Sequence, residues 1–164
     1  MNVRPATADD AGFIRLMFVE AAFWNPDEER PPLEQWLAAE DVPLRYFEGW
    51  GREGDEGFIA EEDGSLIGAA WFRVFSKEEP AYGFVAESIP EIAIGLVPEA
   101  RGRGIGTALL SALLDRAAEL GYAATSLSVF LKNPALRLYE RLGFEKVEDD
   151  DEGYRTMKAG LGAR

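Results

Sequence analysis

The chain contains no cysteine and no histidine. Without cysteine there can be no disulfide, no thiolate metal site and no cysteine nucleophile. Without histidine, Ser-His-Asp chemistry and histidine-ligated zinc are closed as well. Any general base must then be Asp, Glu, Lys, Tyr or an ordered water. No apolar run approaches the ~20 residues that a membrane helix needs. The opening "MNVRPATADD" lacks the apolar core of a signal peptide. The expected compartment is therefore the cytoplasm, with no membrane partner. Basic residues are in the minority: 17 Lys and Arg stand against 30 Asp and Glu, for a net charge of -13. Such a surface repels phosphate backbones, so nucleic acid is not an expected partner. It suits a cationic or amine substrate, or serves solubility alone.

What is present is enough for one domain spanning residues 1–164, with 47% hydrophobic residues to fill a core. There is no internal repeat. The only linker-like stretch, Gly49 to Gly57, is too short to separate domains. "TADDAGFIRLMFVEAAF" reads as a helix capped by Thr7, with Phe13, Leu16, Met17 and Ala21 at helical spacing. A second helical region follows from Pro31 to Gly51, broken near Pro43. Strands are expected over 57–62 and 65–75, joined by a turn at Asp63-Gly64. Another strand, "EIAIGLV", begins at Glu91. The clearest helix is "GIGTALLSALLDRAAELG", with Ile105, Leu109, Leu113 and Ala117 along one face and Gly121 at its end. "TSLSVF" is a strand, "NPALRLYERLG" a short helix capped at Asn133, and residues 144–159 a closing hairpin. The tail "GLGAR" reads as a fraying end. This order suggests a mixed sheet with helices packed against it, an α+β arrangement rather than a doubly wound one.

The chemistry concentrates at "RGRGIG", Arg101 to Gly106, between the strand and the long helix. Glycine lets backbone N–H groups approach a ligand closely. A helix N-terminus leaves N–H donors unpaired and carries partial positive charge. Together they favour an anion, most often a phosphate. Arg101 and Arg103 reverse the local sign on an acidic protein. The alternative is a tight turn with solvated arginines. Neither GxxxxGK[ST] nor GxGxxG fits: Thr107 or Leu109 stands where the last glycine of the second motif belongs.

"IAIGLVPEARGRGIGTALLSAL" resembles the acyl-CoA signature of the GNAT superfamily of N-acyltransferases. Arg101, Gly104 and Gly106 occupy the defining positions of its [QR]-x-x-G-x-[GA] loop. "SLSVFLKNPALRLYERLGFEKV" is similar to the family's second cofactor segment, with Asn133, Tyr139, Gly143 and Phe144 in place. The resemblance covers roughly residues 57–158, with the acyl-CoA segments within 90–145; residues 1–50 fit in outline as two variable acceptor-side helices. It implies a single three-layer α-β-α domain. Its central mixed, mostly antiparallel sheet would splay where "EIAIGLV" parts from "TSLSVF".

It implies acetyl-CoA as cosubstrate, no metal, and acetyl transfer to a primary amine. The backbone of Leu96 and Val97 would pair with pantetheine. The amides of Gly102, Arg103, Gly104, Ile105, Gly106 and Thr107 would hold the pyrophosphate, with Arg101 and Arg103 assisting. Asn133 would touch pantetheine or cap its helix. Tyr139 would be the general acid beside the thioester sulfur. A lysine-like amine has a pKa of ~10.4 and must lose a proton before it attacks. Glu91 is the first candidate base and shares a strand face with Ala93 and Gly95; Glu87 is the second.

With no cysteine, direct transfer in a ternary complex is expected. The acceptor, a small-molecule amine or a peptide or protein amine, would meet Phe23, Trp24, Tyr46 and Trp50, with Glu20, Asp27, Glu28 and Glu48 available to a cation. Residues 73–90 would form a flap over it. A homodimer is compatible with the family. The rival reading is a catalytically inactive acyl-CoA-binding module.

Overall fold

The computed structural model describes residues 1–162. Its elements in chain order are β1 (Asn2–Pro5), α1 (Ala11–Ala22), α2 (Leu33–Leu37), β2 (Glu56–Glu62), β3 (Ser65–Arg73), β4 (Glu91–Leu96), α3 (Ile105–Glu119), β5 (Ala124–Phe130), α4 (Ala135–Arg141), β6 (Glu145–Asp149) and β7 (Tyr154–Gly160). The strands form one seven-stranded sheet in the order β1-β2-β3-β4-β5-β7-β6. Every neighbouring pair is antiparallel except β4 and β5. No helix among the described residues is long and apolar enough to cross a membrane.

Strand alternation builds the layers. Ile59, Ala69 and Trp71 point to one face and pack with Ile14, Met17 and Phe18 of α1. Their neighbours Ala60, Ala70 and Phe72 point to the other and pack with Leu109, Leu110, Leu113 and Leu114 of α3. Both helices are amphipathic, so each needs the sheet to bury its apolar stripe. α1 packs tightly on β4 at Gly95. A β-carbon on Gly95 would stand 1.9 Å from the Met17 carbonyl oxygen. Only glycine permits that approach.

Several local expectations hold. Thr7 accepts from the Asp9 amide (3.3 Å), and Asp10 accepts from the Thr7 amide (2.7 Å), a capping box. Asp63 and Gly64 both have positive φ, 51° and 80°, as a tight hairpin turn requires. Other details differ. The core face of α1 is Ile14, Met17 and Phe18, while Leu16 is exposed. The second helical region reduces to the single turn of α2 and a 3-10 turn at Leu44–Tyr46. β1 is an added edge strand whose four residues were too few to show a period. The expected frayed tail, 160–164, starts inside the fold: Gly160 closes β7 opposite Ala124, and the buried Leu161 donates its N–H to Ala123 O at 2.9 Å; Ala163 and Arg164 lie outside the described residues.

Candidate active site

β4 and β5 meet at one register pair, Glu91 with Ser126, braced by the Ser126 amide on Pro90 O (3.0 Å). Beyond it the ladder stops and the strands part. Val97 N–H donates to Ile67 O on β3 at 3.0 Å, and Val97 O accepts from Ala100 N at 2.9 Å. The main-chain groups of Val97, expected to pair with pantetheine, are thus engaged within the protein. By alternation the N–H and C=O of Ile94 and Leu96 turn toward the opening. Ile94, not singled out in the sequence, joins Leu96; counting back two residues from Leu96 would have found it.

The loop after β4 is shaped for close approach. Gly102 and Gly104 have φ of 74° and 82°, and a β-carbon on either would meet nothing within 4 Å. Their outer side is open. Among the described residues no protein acceptor engages the amides of Gly102, Arg103, Gly104, Ile105, Gly106 and Thr107, and the bond that enters α3 is Ala108 N to Gly104 O (3.2 Å). A row of free donors at a helix N-terminus favours an anion. Gly106 also meets a packing demand: a β-carbon there would press Leu138 at 3.2 Å. The two arginines are occupied. Arg101 donates to Glu20 Oε1 (3.1 Å) and to the carbonyls of Glu20 and Trp24 (both 3.4 Å). Arg103 pairs with Glu62 at 2.6 Å.

Glu91 is 2% exposed at the closed end of the opening. The Tyr46 hydroxyl and the Gly83 amide (3.0 Å) both donate to Oε2, whereas Oε1 is buried with no hydrogen bond. Burial pushes the carboxyl up to about 7, against the opposing pull of those two donors. It is thus ionisable near neutral pH, as a base must be. Glu87 is exposed on the segment before β4. Tyr139 lies in the α3-side core, edge-on to Phe144, and no acceptor engages its hydroxyl among the described residues. Burial pushes this phenol up to about 12, so it keeps its proton throughout neutral pH. Asn133 Oδ1 accepts from the Ala135 amide at 2.9 Å, the helix-capping half of its expected role.

The acceptor-side candidates sort differently. Phe23 and Tyr46 are core residues, and Trp50 donates to Thr7 O (3.0 Å). Glu20 is held by Arg30 (2.7 Å) and Arg101, while the Glu48 carbonyl accepts from Arg73 at 2.7 Å. Asp27 and Glu28 are exposed in the turn after α1. Trp24 reaches the mouth of the opening. Its ring lies 6.1 Å from Phe130 at the end of β5, and Phe130 lies 5.1 Å from Tyr154. The expected flap is docked rather than loose. A β-carbon on Gly83 would stand 2.6 Å from the Leu127 backbone, and Gly83 O accepts from the Ser126 hydroxyl (2.8 Å). A cavity of about 340 Å³ lies between α1 and α2, lined by Met17, Glu20, Phe23, Trp36 and Val97 among others.

A parted parallel strand pair beside an open glycine loop defines a class. The chain belongs to the Acetyltransferase (GNAT) family, whose profile matches residues 12–144. Among curated relatives it is 33% identical over 152 residues to a mycothiol acetyltransferase of Sanguibacter keddieii, covering 92% of this chain and 45% of that one. The chain thus spans less than half the length of such relatives. Among solved structures, a GNAT phosphinothricin acetyltransferase of Sinorhizobium meliloti in complex with AcCoA is 27% identical, with a TM-score of 0.66 over 98% of this chain and 88% of that one. A GCN5-related N-acetyltransferase from Kribbella flavida shares the fold at 22% identity, with a TM-score of 0.69 over 98% and 97% of the two chains.

Proposed function

We propose that the chain transfers an acetyl group from acetyl-CoA to a primary amine by direct attack within a ternary complex. The observation that carries this reading is the gap between β4 and β5 running up to the unbonded amides of residues 102–107. The amides suit a pyrophosphate. The free edge at Ile94 and Leu96 suits the amide-bearing pantetheine arm, which would complete it as an added strand. Acetyl-CoA supplies an acetyl thioester with a thiolate leaving group. Glu91 takes a proton from the acceptor ammonium, so that the nitrogen lone pair attacks the thioester carbon. The C–S bond breaks while the Tyr139 hydroxyl donates a hydrogen bond to the departing sulfur, and the second proton of the attacking nitrogen passes through solvent to the thiolate, leaving the amide and the free thiol of CoA. A phenol near 12 cannot hand its proton outright to a thiolate of pKa ~8.5; the donation acts as a hydrogen bond that strengthens as charge builds on sulfur.

A small-molecule amine is the first acceptor class to screen, since the curated relatives are named for mycothiol. The aromatic mouth at Trp24, Phe130 and Tyr154 gives it an apolar approach. The experiment is thermal unfolding with acetyl-CoA, with NADH and ATP alongside. A ligand at ~100 times its dissociation constant stabilises the native state by about 2.7 kcal/mol. A raised midpoint with acetyl-CoA alone supports the reading, and no shift at millimolar acetyl-CoA overturns it.

A further inference from the structure

The 3-10 turn at Leu44–Tyr46 matches no motif, yet buried side chains of β3 converge on it. Trp71 Nε1 donates to Tyr46 O at 2.8 Å. The guanidinium of Arg73 donates to Arg45 O (2.9 Å) and Glu48 O (2.7 Å), while Asp55 balances its charge at 2.9 Å. Trp71 and Arg73 are each 1% exposed. A buried ion pair adds little to stability compared with an apolar pair, so the clamp is better explained by what it holds in place.

What it holds is a phenol. The Tyr46 hydroxyl donates to Glu91 Oε2 and accepts from the Tyr82 amide (3.0 Å). The Gly83 amide donates to the same Oε2. Both donors fall on one carboxylate oxygen, and Oε1 is left buried without a partner. A buried acceptor that finds no partner in the protein is costly unless something else completes it. Its lone pairs are free to take a proton.

We propose that Tyr46 is a positioning residue for acetyl transfer: by holding Glu91 Oε2 it fixes the carboxyl rotation and leaves Oε1 as the oxygen that takes the amine's proton. This rests on the reading of Glu91 as the base. The charged and polar groups around Glu91 support the assignment. From β3 the neighbour across the strand is Arg73, its charge met by Asp55. From residues 74–90 come the Tyr82 and Gly83 amides, and from β5 the Ser126 hydroxyl, which is spent on Gly83 O. α1 presents Met17 to this strand, at Gly95. Tyr46 is thus the one side chain whose hydroxyl donates to this carboxylate among the described residues. A donor to the ionised form favours ionisation, so its loss raises the carboxyl further.

Tyr46→Phe removes the donor and keeps the ring that stacks on Phe18 at 5.2 Å. The first readout is carbon-13 NMR of the full chain labelled at glutamate side-chain carboxyls, saturated with acetyl-CoA, with Glu91→Gln identifying the Glu91 signal. The second is thiol release from acetyl-CoA against pH, with 2-phenylethylamine as probe amine. In Tyr46→Phe the Glu91 midpoint should move up by about one pH unit. The acidic limb of turnover should follow it, and kcat should fall at least tenfold while acetyl-CoA affinity stays within twofold. If the probe amine is not turned over, the carboxyl titration decides. Trp71→Phe, which loses the bond to Tyr46 O along with part of the packed ring volume, should shift the midpoint the same way by less, and it serves if Tyr46→Phe does not fold. An unmoved midpoint overturns the proposal. An active Glu91→Gln overturns the base reading and this proposal with it, whereas an inactive Glu91→Gln beside an unmoved Tyr46→Phe overturns this proposal alone.

Discussion

Replacing Glu91 by Gln should make the protein more stable in alkali and nearly neutral in effect in acid. The carboxyl ionises near 4.5 in the unfolded chain and near 7 in the fold, chiefly because it is buried. A group whose folded pKa is raised is bound more tightly to its proton in the native state. Its contribution is fully present below pH 4.5 and is lost as pH rises through 7. The separation of two to three units corresponds to about 3 kcal/mol once both states are ionised. By pH 5 somewhat under 1 kcal/mol of this has gone; by pH 8 nearly all has. A neutral glutamine keeps an acceptor for Tyr46 and does not titrate. The stability of Glu91→Gln relative to the parent should therefore climb by about 2–3 kcal/mol between pH 5 and pH 8. In a chain of this size that is a midpoint change of roughly 5–10 °C. Urea or thermal melts of both proteins across that range measure it, and taking the difference cancels every other titrating group. A difference that stays flat would refute the claim that Glu91 is buried and ionises near neutrality.

Three further outcomes follow from the same geometry. Gly95→Ala puts a β-carbon 1.9 Å from Met17 O, so α1 must lift off β4; urea melts should show a loss of about 3 kcal/mol, at the upper end for overpacking. Gly104→Ala forces a left-handed residue to carry a side chain, at a cost of about 1–2 kcal/mol in the melt. It also points a methyl group into the open side of the loop, so acetyl-CoA affinity by calorimetry should drop at least tenfold. Tyr139→Phe should leave that affinity unchanged and lower turnover by ~10²–10³, the range for losing one hydrogen-bond donor to developing charge; unchanged turnover would remove Tyr139 from the mechanism.

Local requirements were written in local residues, and these could be read directly. Gly102 and Gly104 adopt positive φ because the strand-to-helix turn needs it. The buried stripe of α3 follows from its apolar spacing. Glu91 shares a face with Ala93 and Gly95 because strands alternate. The family is legible for the same reason, since R-x-x-G-x-G is a statement about backbone shape. The absence of histidine alone left a carboxylate as the leading candidate base.

Tertiary structure decided what depends on partners distant in sequence. Val97 turns to β3 and Ile94 to the gap because register fixes which main-chain groups face which neighbour. Arg101 and Arg103 find Glu20 and Glu62, 81 and 41 residues away. Tyr46 reaches Glu91 across 45 residues, from a turn with no period of its own. No spacing in the sequence encodes those meetings. They exist because the packed sheet brings β3 and β4 together and closes one face with α1 and residues 44–48. A chain states in its sequence which backbone shapes it can take; only packing says which side chains end up sharing a proton.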